Sequence, residues 1–410
     1  LVGSEMCIRD SVLRVQSIAD GIHEQQADDV GAGADAMPAC PIPASRRKPA
    51  LIPVSRLPAV VLLVLGMSVG AQRAASEPAT AEPGRFLGAT ETTYPSWFKD
   101  SFLELADDVE EATAKGRRLL ILFHQDSCPY CNALIERNLA QKDIEEKLRA
   151  NFDVVALNLR GDREIVSVGG ETMTEKAFAR ALNVQFTPTL LFLDEAGGLV
   201  LRLNGYVPPR EFGVALDYAA GQTGTGDYRD YLAKRLPVSG SGALDPADFF
   251  APPPHDLSAV VGSGEPVAVF FEQTDCPNCA SLHAGPLDDP ETVALLARFH
   301  TIQLDMWSDE QLVIPAGSRS SARDWARSLE VNYAPTIVLF DEDGREIIRS
   351  EAYLKRFHIQ SVLDYVASGA YRDEPDFQRY LTRRADAIQA EGRDVDIWDE
   401  ASRGGANASD

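Results

Sequence analysis

LLILFHQDSCPYC, residues 119–131, decides how the rest of the chain is read. Its apolar run, residues 119–123, is too short and too continuous for an amphipathic helix and is predicted to be a buried strand. The Cys128-Pro129-Tyr130-Cys131 segment follows at once and opens a predicted helix. Unpaired backbone N–H groups and the helix dipole stabilise a thiolate at such a terminus, so Cys128 is the expected nucleophile. Cys131, about one turn further along, is placed to attack a mixed disulfide as the resolving thiol. Pro129 suits the first helical turn, where its missing N–H has no intrahelical role.

The pattern occurs twice. VAVFFEQTDCPNC, residues 267–279, repeats it at an offset of 148, with Cys276 as nucleophile, Cys279 as resolving thiol and Pro277-Asn278 between them. NVQFTPTLLFLDEAG from Asn183 pairs with VNYAPTIVLFDEDG from Val331, and the two prolines, Pro188 and Pro335, lie 147 apart. Asp217 pairs with Asp364 at 147, and Tyr231 with Tyr380 at 149. Offsets this constant over a whole unit indicate a duplicated domain.

Each unit shows the same order of elements. In the first, a helical pattern over 97–114 precedes the strand, and a second strand is expected at 154–159 after another helix. Thr172 and Glu175 have capping-box spacing for a helix running to Ala181. Strands at 190–193 and 200–203 flank a turn at 195–198, and a helix at 211–219 closes the unit. Strands alternating with helices imply a parallel central pair with helices on both faces. The hairpin adds antiparallel edge strands. The expected architecture is therefore α/β: two tandem domains, each a mixed central sheet flanked by helices.

The Cys pairs admit three readings: redox cycling, inert structural bridges and metal binding. A zinc site needs four ligands brought together, usually within a short stretch, and here the pairs sit in separate repeats with no His at ligand spacing, His283 reading as a lone surface residue on its helix. Two pairs in matching strand-to-helix contexts favour redox cycling, and no metal or cofactor is expected. Thr187-Pro188 and Ala334-Pro335 each precede an apolar strand. Such a proline can serve as an edge or turn feature, or its peptide bond can be cis.

The combination of CPxC after a buried strand and Thr-Pro or Ala-Pro before a hairpin resembles the thioredoxin superfamily. That resemblance implies cis Pro188 facing Cys128 and cis Pro335 facing Cys276. It also implies client-binding roles for Thr187 and Ala334 and for the intervening Pro129, Tyr130, Pro277 and Asn278. The longer match, including FxQxxCPxC, TPTLLFLDEAG and LNGY at 203–206, is similar to the periplasmic thioredoxins of bacterial sulfur-oxidation systems. Departures are clear as well. The positions six before each nucleophile, where thioredoxins usually carry a buried Asp, hold Leu122 and Phe270. His124 and Glu272, four before, are candidate substitutes, weighed against simply marking where strand gives way to exposed loop.

The chain ends are read separately. Residues 1–11 resemble one reading frame of a sequencing adapter, and 12–36 read as an untranslated or disordered leader. Residues 37–71 have the order of a cleavable signal peptide: basic residues at 46–48 and 56, an apolar run at 57–67, then small residues. The run is shorter than the roughly 20 residues a membrane span needs, so no span is expected in the mature chain. Residues 72–86 read as a linker, 87–236 as the first domain, 237–243 as a Ser/Gly linker, 244–400 as the second domain and 401–410 as a disordered tail.

This division leaves four cysteines in two pairs, suited to an oxidising compartment, and periplasmic export is the expected location. From Gln72 onward, 33 basic residues face 55 acidic ones, a net charge of −22, which disfavours nucleic acid as a partner. The expected activity is exported disulfide reduction, with disulfide-containing exported proteins as clients and a membrane thiol carrier as electron donor. The rivals are a disulfide oxidase or isomerase, and a client-binding module without turnover. Ser127 is neutral whereas Asp275 places a carboxylate beside the second nucleophile, so Cys128 is expected to be the more acidic and faster thiol.

Overall fold

The computed structural model describes residues 82–89, 91–221, 226–236 and 243–398. The adapter-like segment, the leader, the signal segment, most of the 237–243 linker and the 401–410 tail lie outside the described residues.

The first domain runs α1 (Leu105–Ala114), β1 (Arg118–His124), α2 (Pro129–Ala133), α3 (Lys142–Asn151), β2 (Phe152–Asn158), α4 (Glu175–Ala181), β3 (Thr189–Leu193), β4 (Leu199–Asn204), α5 (Pro209–Ala219) and α6 (Tyr228–Arg235). Its sheet has the order β2-β1-β3-β4. β1 pairs parallel with β2 and antiparallel with β3, and β3 pairs antiparallel with β4. The continuous apolar text of β1 follows from this placement, because helices cover both of its faces. Leu120 and Leu122 enter one core and Leu119, Ile121 and Phe123 the other.

The second domain repeats the plan with β5 (Val267–Glu272), α7 (Pro277–Ala284), α8 (Pro290–Leu296), β6 (His300–Asp305), α9 (Ala322–Ser328), β7 (Thr336–Phe340), β8 (Glu346–Ser350), α10 (Arg356–Ala367) and α11 (Phe377–Ala390). The sheet order is β8-β7-β5-β6, with β5–β6 parallel and the other pairs antiparallel. The mixed α/β sheets are those expected from the repeat.

Two local expectations need correction. The helical pattern at 97–114 yields a helix only from Leu105, because Leu103 adopts φ 67° and Glu104 has non-helical dihedrals. Thr172 is not the cap of α4: residues Thr172–Thr174 pair as a short strand with Glu164–Val166. Thr174 is the N-cap, its hydroxyl accepting from Ala177 N at 3.3 Å. The Glu175 carboxylate instead accepts from Asn158 N and Arg163 Nη2.

The closing helix of each domain packs against the other domain. Arg229 of α6 donates to the Met306 and Val331 carbonyls, and its guanidinium lies 4.4 Å from the Trp307 ring centroid. Gln378 of α11 donates to Gln185 O at 2.7 Å, and Phe377 meets Phe186 at 5.3 Å between ring centroids. Residues Phe86–Leu87, where the linker meets the first domain, pair in parallel with Val395–Asp396 at the end of the second.

Candidate functional site: two cysteine pairs

Each Cys pair stands where its central strand meets a helix. Cys128 is the N-cap of α2 and Cys276 the N-cap of α7, both with extended dihedrals. The Cys128 Sγ accepts from Cys131 N at 3.1 Å, and the Cys276 Sγ from Cys279 N at 3.0 Å. Those are free N–H groups of the first turn, pointed at the sulfur where a thiolate would form. Each pair forms a disulfide with its Cα atoms 5.2 Å apart. The residue before each nucleophile is left-handed: Ser127 at φ 58° and Asp275 at φ 53°. The same uncommon backbone in both copies turns the strand sharply into the helix and brings the sulfur to its N-terminal end.

The Thr187–Pro188 and Ala334–Pro335 peptide bonds are both cis. Thr187 O lies 3.5 Å and Thr187 Oγ1 3.3 Å from Cys128 Sγ, while Ala334 O lies 3.8 Å from Cys276 Sγ. One device holds both loops. Buried Thr189, first in β3, donates to Phe186 O at 2.8 Å, and Thr336, first in β7, donates to Tyr333 O at 2.7 Å.

Around the second pair, Glu272 is not at an exposed strand end. It is 1 % exposed, and both its oxygens lie within 3.1 Å of His283 Nε2. Gln303 Nε2 donates to it at 3.0 Å. His283 sits four residues beyond Cys279 on α7, so the two share a helix face; its side chain is 11 % exposed rather than a free surface group. Sequence reasoning passed over His283 and Gln303 as functional residues. The i+4 spacing from Cys279 was the available signal. In the first domain His124 takes the position of Glu272, half-buried against the Tyr94 ring at 4.6 Å, and burial lowers its pKa.

Around the first pair the surroundings come from the second domain. The Tyr130 hydroxyl accepts from Lys355 N at 2.9 Å and lies 3.4 Å from His358 Nδ1. Its ring meets those of His358 and Trp398 at 5.2 and 5.7 Å. Asn278, the counterpart of Tyr130, donates to Tyr333 Oη within its own domain at 2.8 Å. Among the described residues no cluster of His, Cys, Asp or Glu could hold a metal ion, and no helix there is long and apolar enough to cross a membrane.

His358 gives the contact a pH dependence. Burial holds its pKa at about 4, below the ordinary 6.5. Between those values the unfolded chain binds the proton more readily, so stability falls as pH drops from 6.5 towards 4. The upper bound is about 1.4 kcal/mol for each pH unit. His358→Phe is expected to flatten the melting-temperature profile over that range. Equal slopes for variant and wild type would show that His358 contributes nothing to it.

The family model of the thioredoxin-like domain matches twice, at residues 105–220 and 253–367. No curated protein sequence matches the chain. Among solved structures, the chain is similar to a thioredoxin-fold protein from Helicobacter pylori, at 18 % identity over 32 % of this chain and 86 % of that one, with a TM-score of 0.28. A thioredoxin from Thermus thermophilus matches at 26 % identity over 33 % of this chain and 85 % of that one, TM-score 0.23. A disulphide isomerase from Xylella fastidiosa Temecula1 matches at 14 % identity over 36 % and 98 %, TM-score 0.22.

Proposed function

The chain belongs to the thioredoxin-like domain family, whose model matches more than half of it, and from that premise we propose that this thiol–disulfide oxidoreductase works as a periplasmic disulfide reductase. The observation that carries the chemistry is the pair of Cys-Pro-x-Cys disulfides, each at a helix N-terminus beside a cis proline. Export is supported by the signal-like order of residues 37–71 and by four cysteines that fall into two pairs. The reductive direction is supported by the motif resemblance to the periplasmic thioredoxins of sulfur-oxidation systems.

In the reduced enzyme the nucleophilic thiolate attacks one sulfur of a client disulfide. A mixed disulfide forms and the client's other sulfur leaves as a thiolate. The resolving thiol loses its proton and attacks the nucleophile's sulfur. The client departs with two thiols and the enzyme keeps the two-electron-oxidised pair, which a membrane thiol carrier then reduces. In the second domain we assign His283, paired with the buried Glu272, as the acceptor of the Cys279 proton, because His283 lies one turn beyond Cys279 on α7.

Direction is tested by potential and place together. A reductase is expected near the thioredoxin value of about −270 mV, whereas an oxidant lies closer to about −120 mV. Equilibration of each pair against a thiol redox buffer reads this. Fractionation of cells expressing the full chain should find the protein outside the cytoplasm. A potential above about −180 mV, the isomerase range, would replace the reductase reading with the oxidase or isomerase one.

A further inference from the structure

The two pairs occupy matching loops in unlike surroundings. Cys128 is 1 % exposed, and Pro129 and Tyr130 are buried with it. Cys276 is half-buried, with Asp275 and Pro277 exposed on either side. The cover over Cys128 is a segment of the second domain, residues 351–358. Asn204 Nδ2 donates to Glu351 Oε2 at 2.9 Å. Gly205 backs so closely on Ala352 that a Cβ there would stand 2.9 Å from the Ala352 Cβ. Lys355 N and His358 hold the Tyr130 hydroxyl. The space left beside Cys128, Thr187, Glu351 and Leu354 is about 30 Å³, enough for water but not for a segment of a protein client.

Thiol–disulfide exchange needs a client sulfur to reach the attacking sulfur, so access limits it as firmly as thiolate content does. We propose that Cys276–Cys279 is the port for protein disulfides, and that Cys128–Cys131 is closed to them by residues 351–358 until the two domains part there. This rests on the oxidoreductase reading and names which site meets the protein client. It reverses the order of reaction that Ser127 and Asp275 alone suggest, because a burial difference acts before a difference in acidity can.

The test uses two full-length variants with one live pair each, Cys128→Ser/Cys131→Ser and Cys276→Ser/Cys279→Ser, both reduced with dithiothreitol. Each is assayed on insulin, a protein disulfide, and on oxidised glutathione, a small one. The variant retaining Cys276–Cys279 is expected to reduce insulin at least about tenfold faster than the other. Adding Ala352→Trp to the variant retaining Cys128–Cys131 wedges the contact with Gly205 and is expected to raise its insulin rate several-fold. Asn204→Asp, which sets a carboxylate against Glu351, is the milder second wedge, and Glu351→Gln added to it should return the slow rate. Equal insulin rates for the two pairs, or a Cys128–Cys131 rate indifferent to both wedges, would overturn the proposal. Inactivity of both single-pair variants on both disulfides would instead overturn the oxidoreductase reading beneath it.

Discussion

Replacing Cys128 and Cys276 together by serine is expected to bring disulfide exchange down to the uncatalysed rate, a loss of about a thousandfold or more. Both sulfurs stand at helix N-termini with a first-turn N–H directed at them, whereas the thiols that remain, Cys131 and Cys279, are buried within the helix and lack that position. Serine can keep the backbone hydrogen bond and the cap, and the fold should survive. Insulin reduction measures the loss, and binding of a client to the double variant separates the remaining alternatives. A client-binding module would keep both its binding and its biological effect. An oxidoreductase keeps only the binding. Cys131→Ser/Cys279→Ser gives the complementary result, because without resolving thiols the mixed disulfides on Cys128 and Cys276 persist and can be isolated.

The largest expected effect on stability lies at the contact between the two domains. Arg229→Ala should destabilise the chain by about 2–4 kcal/mol, since hydrogen bonds from charged donors contribute more than neutral ones and the carbonyls left behind are buried. Arg229 is 2 % exposed although it carries a guanidinium. It spans the domain boundary to the Met306 and Val331 carbonyls and lies over the Trp307 ring. Burial lowers its pKa to about 10, with Arg327 nearby adding to the effect, so it remains a cation at neutral pH. Its counterpart Gln378 makes a neutral contact to Gln185 O, and Gln378→Ala should cost only about 1 kcal/mol. Urea unfolding of the full chain measures both. A cost below about 1 kcal/mol for Arg229→Ala would show that the α6 contact does not hold the domains together.

The ends of the central strands show where reading by pattern stopped working. His124 and Glu272 occupy equivalent positions, four residues before their nucleophiles, and nothing local distinguishes them. One packs on Tyr94, whereas the other is buried in a bond to His283 with Gln303 completing its shell. The capping-box spacing of Thr172 and Glu175 was likewise present in the text but unused. Pairing of Thr172–Thr174 with Glu164–Val166 took the first residue into a strand and moved the cap to Thr174.

By itself, the sequence determined the two α/β domains, the strand-to-helix placement of Cys128 and Cys276, and the matching positions of Pro188 and Pro335. Each of these depends on short-range order: an apolar run too short for a helix, a Cys-Pro-x-Cys step, and a repeat whose offset stays near 148 residues. Only the tertiary structure decided that Cys128 is sealed, that Cys276 is half open, and that Glu272 has a histidine partner. The seal joins Tyr130 to Lys355 across 225 residues. A local period records which face of its own strand or helix a residue occupies. It carries no information about which face of a second domain will come to lie over it.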